Sequence, residues 1–205
     1  MRMILSLDEI DQGMQGAVGG KALALARIRR IGPAVPAGVC IPADLYERFV
    51  DATDLRDRIL LEIERKPFQE MRWEEIWDTA LRIQNLFIHT PLPPAIRKPL
   101  RTQLSEAFQG KRVVVRSSAI GEDSASNSFA GLHESFVNVR GVDAILEHVR
   151  LVWSSLWSDR AMLYRAEIGL DIRTSRMAVV VQELIEGDRS GIIFGVSPTD
   201  ESKAV

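Results

Sequence analysis

The residues best equipped for chemistry in this 205-residue chain lie in one stretch, VVVRSSAIGEDSASNSFAGLHESFVN, residues 113–138. It opens on a β-branched run, Val113, Val114 and Val115, which favours a buried strand. Arg116 follows at the expected strand end, where a side chain leaves the core. A polar stretch rich in Ser, Ala, Asn and Gly comes next, and Phe136, Val137 and Val139 mark a return strand. An arginine at the mouth of such a loop offers a fixed fork of donors to phosphate oxygens. Ser hydroxyls and backbone N–H groups around Gly121 and Gly131 can add to it. The same residues also suit an ordinary connection, with the arginine solvated or paired to a carboxylate, and residue types alone leave both readings open. Glu122 and Asp123 place two carboxylates together, a set that suits Mg²⁺ but equally a turn or an arginine partner. His133 carries an imidazole able to act as nucleophile or acid.

A second group is Gly19, Gly20 and Lys21, followed by ALALARI. The Ala- and Leu-rich part predicts a helix. The two glycines leave the backbone free to approach a ligand, and a helix N-terminus favours anions. A lysine in the first turn is mildly unfavourable against the helix dipole, which makes better sense with an anion beside it. A solvated lysine is the alternative. The spacing is not that of a Walker A loop.

Both groups resemble one family. VRSSAIGED and SFAGLHESFVNV are similar to the VRSSA–ED–SFAG–E–F–NV block of the N-terminal ATP-binding domain of phosphoenolpyruvate synthase, pyruvate phosphate dikinase and rifampin phosphotransferase. GGKALAL resembles that family's GGKxxxL segment. GPAVPAGVCIP resembles VPxGFxxT, although Ile41, Pro42 and Ala43 replace its threonines, so no hydroxyl ligand is assigned. SSLWSDRAMLYR resembles SLFxxRAxxYR, and SGIIFGVS resembles SGVxFTxxP.

The resemblance implies an α+β, ATP-grasp-like domain, incomplete within residues 1–205, with a helical insert over about 43–109. It implies ATP and Mg²⁺ as cofactors, with Lys21, Arg116 and Gly131 on the phosphates. A linker after a strand, at Gln182, Glu183, Leu184 and Ile185, would seat adenine through backbone groups. No metal ligand and no catalytic residue is assigned. By resemblance the family's phosphorylated histidine belongs to a separate domain, so His133 carries little catalytic weight. The whole enzyme would be an ATP-dependent phosphotransferase converting ATP, pyruvate and water to phosphoenolpyruvate, AMP and phosphate. The rest of the ATP domain, the phosphohistidine domain and the pyruvate-binding barrel are absent, so the chain alone is expected to be inactive. A rifampin-type phosphotransferase front domain and a non-catalytic nucleotide-binding or regulatory module are the alternatives.

These residues need a scaffold, and composition allows one. Hydrophobic content of 46% with 26% charged residues suits a globular chain. A formal charge of −2 gives no global pull toward nucleic acid or an anionic membrane. No run approaches the roughly 20 apolar residues of a membrane span, and no secretory signal opens the chain, so a cytoplasmic location is expected. The single cysteine, Cys40, permits no intrachain disulfide and lies in an apolar run. The three histidines show no zinc-like spacing.

Periodicity places the remaining elements. A short strand is expected near residues 3–7 and another after the Gly32–Pro33 turn. Residues 43–109 read as mainly helical. Leu55, Ile59, Leu60 and Ile63 form an amphipathic stripe. Trp73, Ile76, Trp77, Ala80, Leu81, Ile83, Phe87 and Ile88 are expected to pack in the core or between helices. Pro93 and Pro94 open a helix with Ile96, Leu100, Leu104 and Phe108 on one face. Asp143 is expected to cap a helix running to about Ser155. A second follows from Asp159. Residues 177–185 and 190–197 are expected strands.

Overall fold

Valine and isoleucine supply the middle of the molecule. The computed structural model describes residues 2–32, 34–120, 132–189 and 191. Among these, β1 (Leu5–Ser6), β2 (Gly38–Ile41), β3 (Arg112–Ala119), β4 (Ser135–Arg140) and β5 (Met177–Glu183) form one sheet. Its order is β1-β2-β5-β3-β4 and every pairing is antiparallel. The strand preceding the expected adenine linker, β5, is therefore central and lies between β2 and β3.

Seven helices accompany the sheet in the described residues: α1 (Gln15–Ile31), α2 (Ala43–Ala52), α3 (Leu55–Ile63), α4 (Trp73–His89), α5 (Pro94–Phe108), α6 (Val142–Ser155) and α7 (Asp159–Glu167). The architecture is α+β. Alternation along the strands divides the residues between two faces. Val113, Val115, Val179 and Val181 face a large core shared with α2 to α6. Its centre is aromatic: Phe49 stacks on Trp153 at 5.4 Å between centroids, and the Trp157 indole donates to the Tyr46 hydroxyl at 3.0 Å. Ala178, Val180 and Cys40 face the opposite way, onto Val18, Ala22 and Ala26 of α1. Alanines one turn apart let that helix lie close against the sheet.

Several expectations need correction. β3 does not end at Arg116 but continues through Ser117, Ser118 and Ala119, because β5 goes on pairing as far as Met177. Of these Ser118 faces α1, where it lies against Gly19. Val114 is not a core residue. It is half-buried, while Val113 and Val115 are fully buried. The helix carrying Lys21 starts at Gln15, ahead of the glycines, and is broken inside by Gly19. Trp73 and Trp77 are 59% and 48% exposed, and Leu81 and Ile88 are also exposed. The buried stripe of α4 is Ile76, Ala80, Ile83 and Phe87, with Thr79 beside it. Asp143 does not cap α6, since Gly141 holds that place. Its carboxylate instead accepts from Arg97 at 2.8 Å and Arg101 at 3.2 Å. β5 ends at Glu183, so Leu184 and Ile185 lie beyond it.

One irregularity shapes the edge strand. Val113 lies opposite Val139, but Val115 lies opposite Phe136, so Val114 faces both Val137 and Asn138. This is a β-bulge, and Asn138 absorbs it at φ 62°. Asparagine tolerates that backbone region better than most residues.

Candidate functional site

The site is built where α1 meets the far end of β3. Gly19 adopts φ 72° and ψ 169° within α1, a backbone region essentially reserved for glycine. A Cβ at Gly19 would lie 2.4 Å from the carbonyl oxygen of Ser118, so backbone meets backbone with no room for a side chain. The Ser118 hydroxyl, fully buried, donates to Val18 O at 2.7 Å and accepts from Ala22 N–H at 3.1 Å. Lys21 follows the break, and its ammonium donates to Ser117 O at 3.1 Å. The GGK and VRSSA segments, distant in sequence, are thus in direct contact.

Arg116 shares a face of β3 with Ser118, two residues on, and lies on the α1 side of the sheet. Ser135 of β4 is its register partner, an exposed residue. Among the described residues Arg116 has no carboxylate partner and no hydrogen-bond acceptor. Ser135 and Ser118 escaped the sequence reading. Strand register would have exposed Ser135, but no local signal marks Ser118.

The other end of β3 carries the linker. Glu183 N–H donates to Ala37 O at 2.8 Å, and Leu184 N–H to Arg112 O at 2.9 Å. The Gln182 side chain is buried and donates to Pro36 O at 3.1 Å. Ile185 is exposed, and its N–H makes no hydrogen bond among the described residues. Of the four expected adenine contacts, Ile185 alone therefore keeps an uncommitted N–H. Two ion pairs tether this run to the start of β3: Lys111 to Glu183 at 2.8 Å, and Arg112 to Glu186. From Val113 to Ser117, which separate the linker from Lys21, is four residues of strand, about 13 Å at the usual rise.

His133 has its Nδ1 3.4 Å from Ser155 O. Burial first, then the positive charges of Arg165 and Lys21, push its pKa down to about 3. The imidazole is therefore neutral at physiological pH, and the lysine and arginine charges reach the same place. Arg165 is itself buried and donates to Leu156 O at 3.0 Å. Cys40 is buried as expected, which raises its thiol pKa.

Gly131, Glu122, Asp123, Phe129 and Ala130 lie outside the described residues, as does the expected strand at 190–197 apart from Gly191, which is in no strand. Among the described residues no group of three or more His, Cys, Asp or Glu side chains is placed to hold a metal ion, and no helix is long and apolar enough to cross a membrane. The donor set that is present consists of cations and N–H groups, which fits an anion and not a cation.

Comparison with known proteins identifies the family. The family model described as the pyruvate phosphate dikinase AMP/ATP-binding domain matches residues 15–205. A phosphoenolpyruvate synthase of Aeropyrum pernix is 36% identical over 100% of this chain and 26% of its own length. A rifampicin phosphotransferase of Streptomyces sviceus is also 36% identical, over 100% of this chain and 23% of its own. A probable phosphoenolpyruvate synthase of Methanothermobacter thermautotrophicus is 30% identical over 97% of this chain and 30% of its own. The chain thus spans about a quarter of the length of the curated relatives it matches. With the matched residues taking in both the Lys21 and the Arg116 segments, this chain belongs to the pyruvate phosphate dikinase AMP/ATP-binding domain family.

Proposed function

We propose that the chain is the ATP-binding front of a cytoplasmic phosphotransferase of the phosphoenolpyruvate synthase type, and that residues 1–205 form the N-terminal part of an ATP-grasp-like domain with a helical insert over about 43–109. The observation that carries the reading is the arrangement along β3. Lys21 and Arg116 stand on one side of the sheet in the half of the strand nearer Ala119, and a tethered linker with a spare N–H stands at the Arg112 end. About 13 Å between them suits an extended nucleotide. In this reading the two cations neutralise phosphate charge, Gly131 donates its N–H from the covering loop, and Gln182, Glu183, Leu184 and Ile185 border the adenine.

Phosphoryl transfer from ATP to a histidine on a further domain, and from there to pyruvate, with water consumed and AMP and phosphate released, is the activity we assign to the whole protein. Phosphoryl transfer rests on positioning and charge neutralisation, aided by Mg²⁺. The described residues supply the cationic share of that and no metal-binding cluster. In this reading the chain, about a quarter of the length of its relatives, binds ATP without turning it over. The equal identity to a rifampicin phosphotransferase favours a second reading, the same front domain serving an antibiotic acceptor.

Calorimetric titration of the chain with Mg-ATP, beside Lys21→Ala, tests the proposal. Weaker binding by the variant supports it. Absence of binding overturns the chain as an ATP-holding unit, and equal binding by both removes Lys21 from the phosphates.

A further inference from the structure

The break in α1 has an unusual filling. In a continuous helix the N–H of residue i bonds the carbonyl of residue i−4, so Ala22 N–H would close directly onto Val18 O. Here neither group is left bare. The Ser118 hydroxyl sits between them, donating to Val18 O at 2.7 Å and accepting from Ala22 N–H at 3.1 Å. Insertion of a side chain into the helical ladder is a recognised cause of a sharp kink. Gly19 supplies the backbone conformation the insertion requires, and its lack of a Cβ admits Ser118 within van der Waals range.

The consequence falls on Lys21, which lies inside the spanned turn. Arg116 is fixed by β3 directly, and Lys21 is fixed to the same strand through Ser118 and through its own bond to Ser117 O. We propose that Ser118 is a positioning residue for nucleotide phosphate, its inserted hydroxyl setting where the restarted helix presents Lys21 relative to Arg116. This rests on the ATP reading given above. The role involves no contact between Ser118 and the nucleotide, since its hydroxyl is buried and both its bonding partners are backbone groups of α1.

Removing the hydroxyl leaves Val18 O and Ala22 N–H unpaired in a buried site, which the chain relieves by shifting the helix start. The experiment is a double-mutant cycle in the whole chain, with ATP as probe: wild type, Ser118→Ala, Lys21→Ala and the double variant. Hydrogen exchange at the Ala22 amide is followed in parallel. Ser118→Ala is expected to weaken ATP binding about tenfold, while in the Lys21→Ala background it should add almost nothing. Ala22 exchange should accelerate in both serine variants. A purely structural role would give the same fold-loss in either background, and that result overturns the inference. Unchanged Ala22 exchange with normal ATP binding overturns it as well. If the wild type does not bind ATP, the phosphate reading falls and takes this role with it, even where Ala22 exchange responds. Should Ser118→Ala melt below the assay temperature, Ser118→Cys carries the cycle, being close in volume and a poorer hydrogen-bond partner.

Discussion

Replacing Gly19 with alanine tests the join between α1 and β3 most severely. Two costs add. At φ 72° and ψ 169° the backbone is in a region that costs a non-glycine residue about 1–3 kcal/mol. The new Cβ would also stand 2.4 Å from Ser118 O and 2.7 Å from the Ser118 carbonyl carbon and hydroxyl oxygen. The first two are backbone atoms of the strand paired to central β5, so the strand cannot yield by rotating a side chain. The helix must move, and its interface of Val18, Ala22 and Ala26 moves with it. A total near 3 kcal/mol follows, within the range of severe single substitutions. For a chain of this size that lowers the melting temperature by roughly 6–12 °C. Gly16 is the control. It sits in the same helix with nothing within 4 Å of a built Cβ, so Gly16→Ala should be neutral or stabilise by up to about 1 kcal/mol. The assay is thermal and urea unfolding of both variants beside wild type. A Gly19→Ala midpoint within 1–2 °C of wild type, or two alanine variants that behave alike, would refute the reasoning, since no account based on helix propensity separates the two glycines.

The remaining predictions concern the sheet, the arginine and the buried imidazole. Val115→Asp places an unpaired charge in the main core and should abolish cooperative unfolding, whereas Val114→Asp, on the half-open face, should leave a folded chain; similar far-UV melts for the two would overturn the assignment of faces. Arg116→Ala should leave the melting curve within about 0.5 kcal/mol of wild type while weakening ATP binding at least tenfold, because its side chain engages no acceptor among the described residues; unchanged affinity in calorimetry would remove Arg116 from the site. His133 should make the fold acid-sensitive. The unfolded chain takes up its proton near the ordinary value of 6.5, while the folded chain resists until about 3. Stability from this group is therefore full above 6.5 and declines as the pH falls toward 3, by about 2 kcal/mol between pH 7 and pH 5. Urea unfolding at those two pH values should show a smaller drop for His133→Gln than for wild type, and parallel drops would mean the imidazole is not shielded.

What the sequence disclosed and what it hid follow from the range of the interactions concerned. Stripes at a period of 3.6 located α3, α4 and α5 because each helix carries its own apolar face, a local property. The exposed side of α4 misled for a related reason. That helix bears two apolar stripes, Trp73, Trp77, Leu81 and Ile88 beside Ile76, Ala80, Ile83 and Phe87, and only packing against α3, α6 and α7 decides which is buried. Three consecutive valines hid which of them faces the core, because a run without alternation carries no period. Serine has little intrinsic claim to a strand, so β3 seemed to end at Arg116. The extension to Ala119 comes from β5, more than fifty residues away in sequence, whose continuous pairing overrides local preference. Lys21 and Arg116 were legible as isolated cations in motif-like settings. That one strand holds both was not, since the hydroxyl joining them acts across a separation of 100 residues on groups of the main chain. Side-chain types advertise contacts with ligands, whereas the bonds that orient those side chains run through backbone atoms common to every residue. The part of the site most easily read is thus the part that would touch the nucleotide, and the part most easily missed is the frame that aims it.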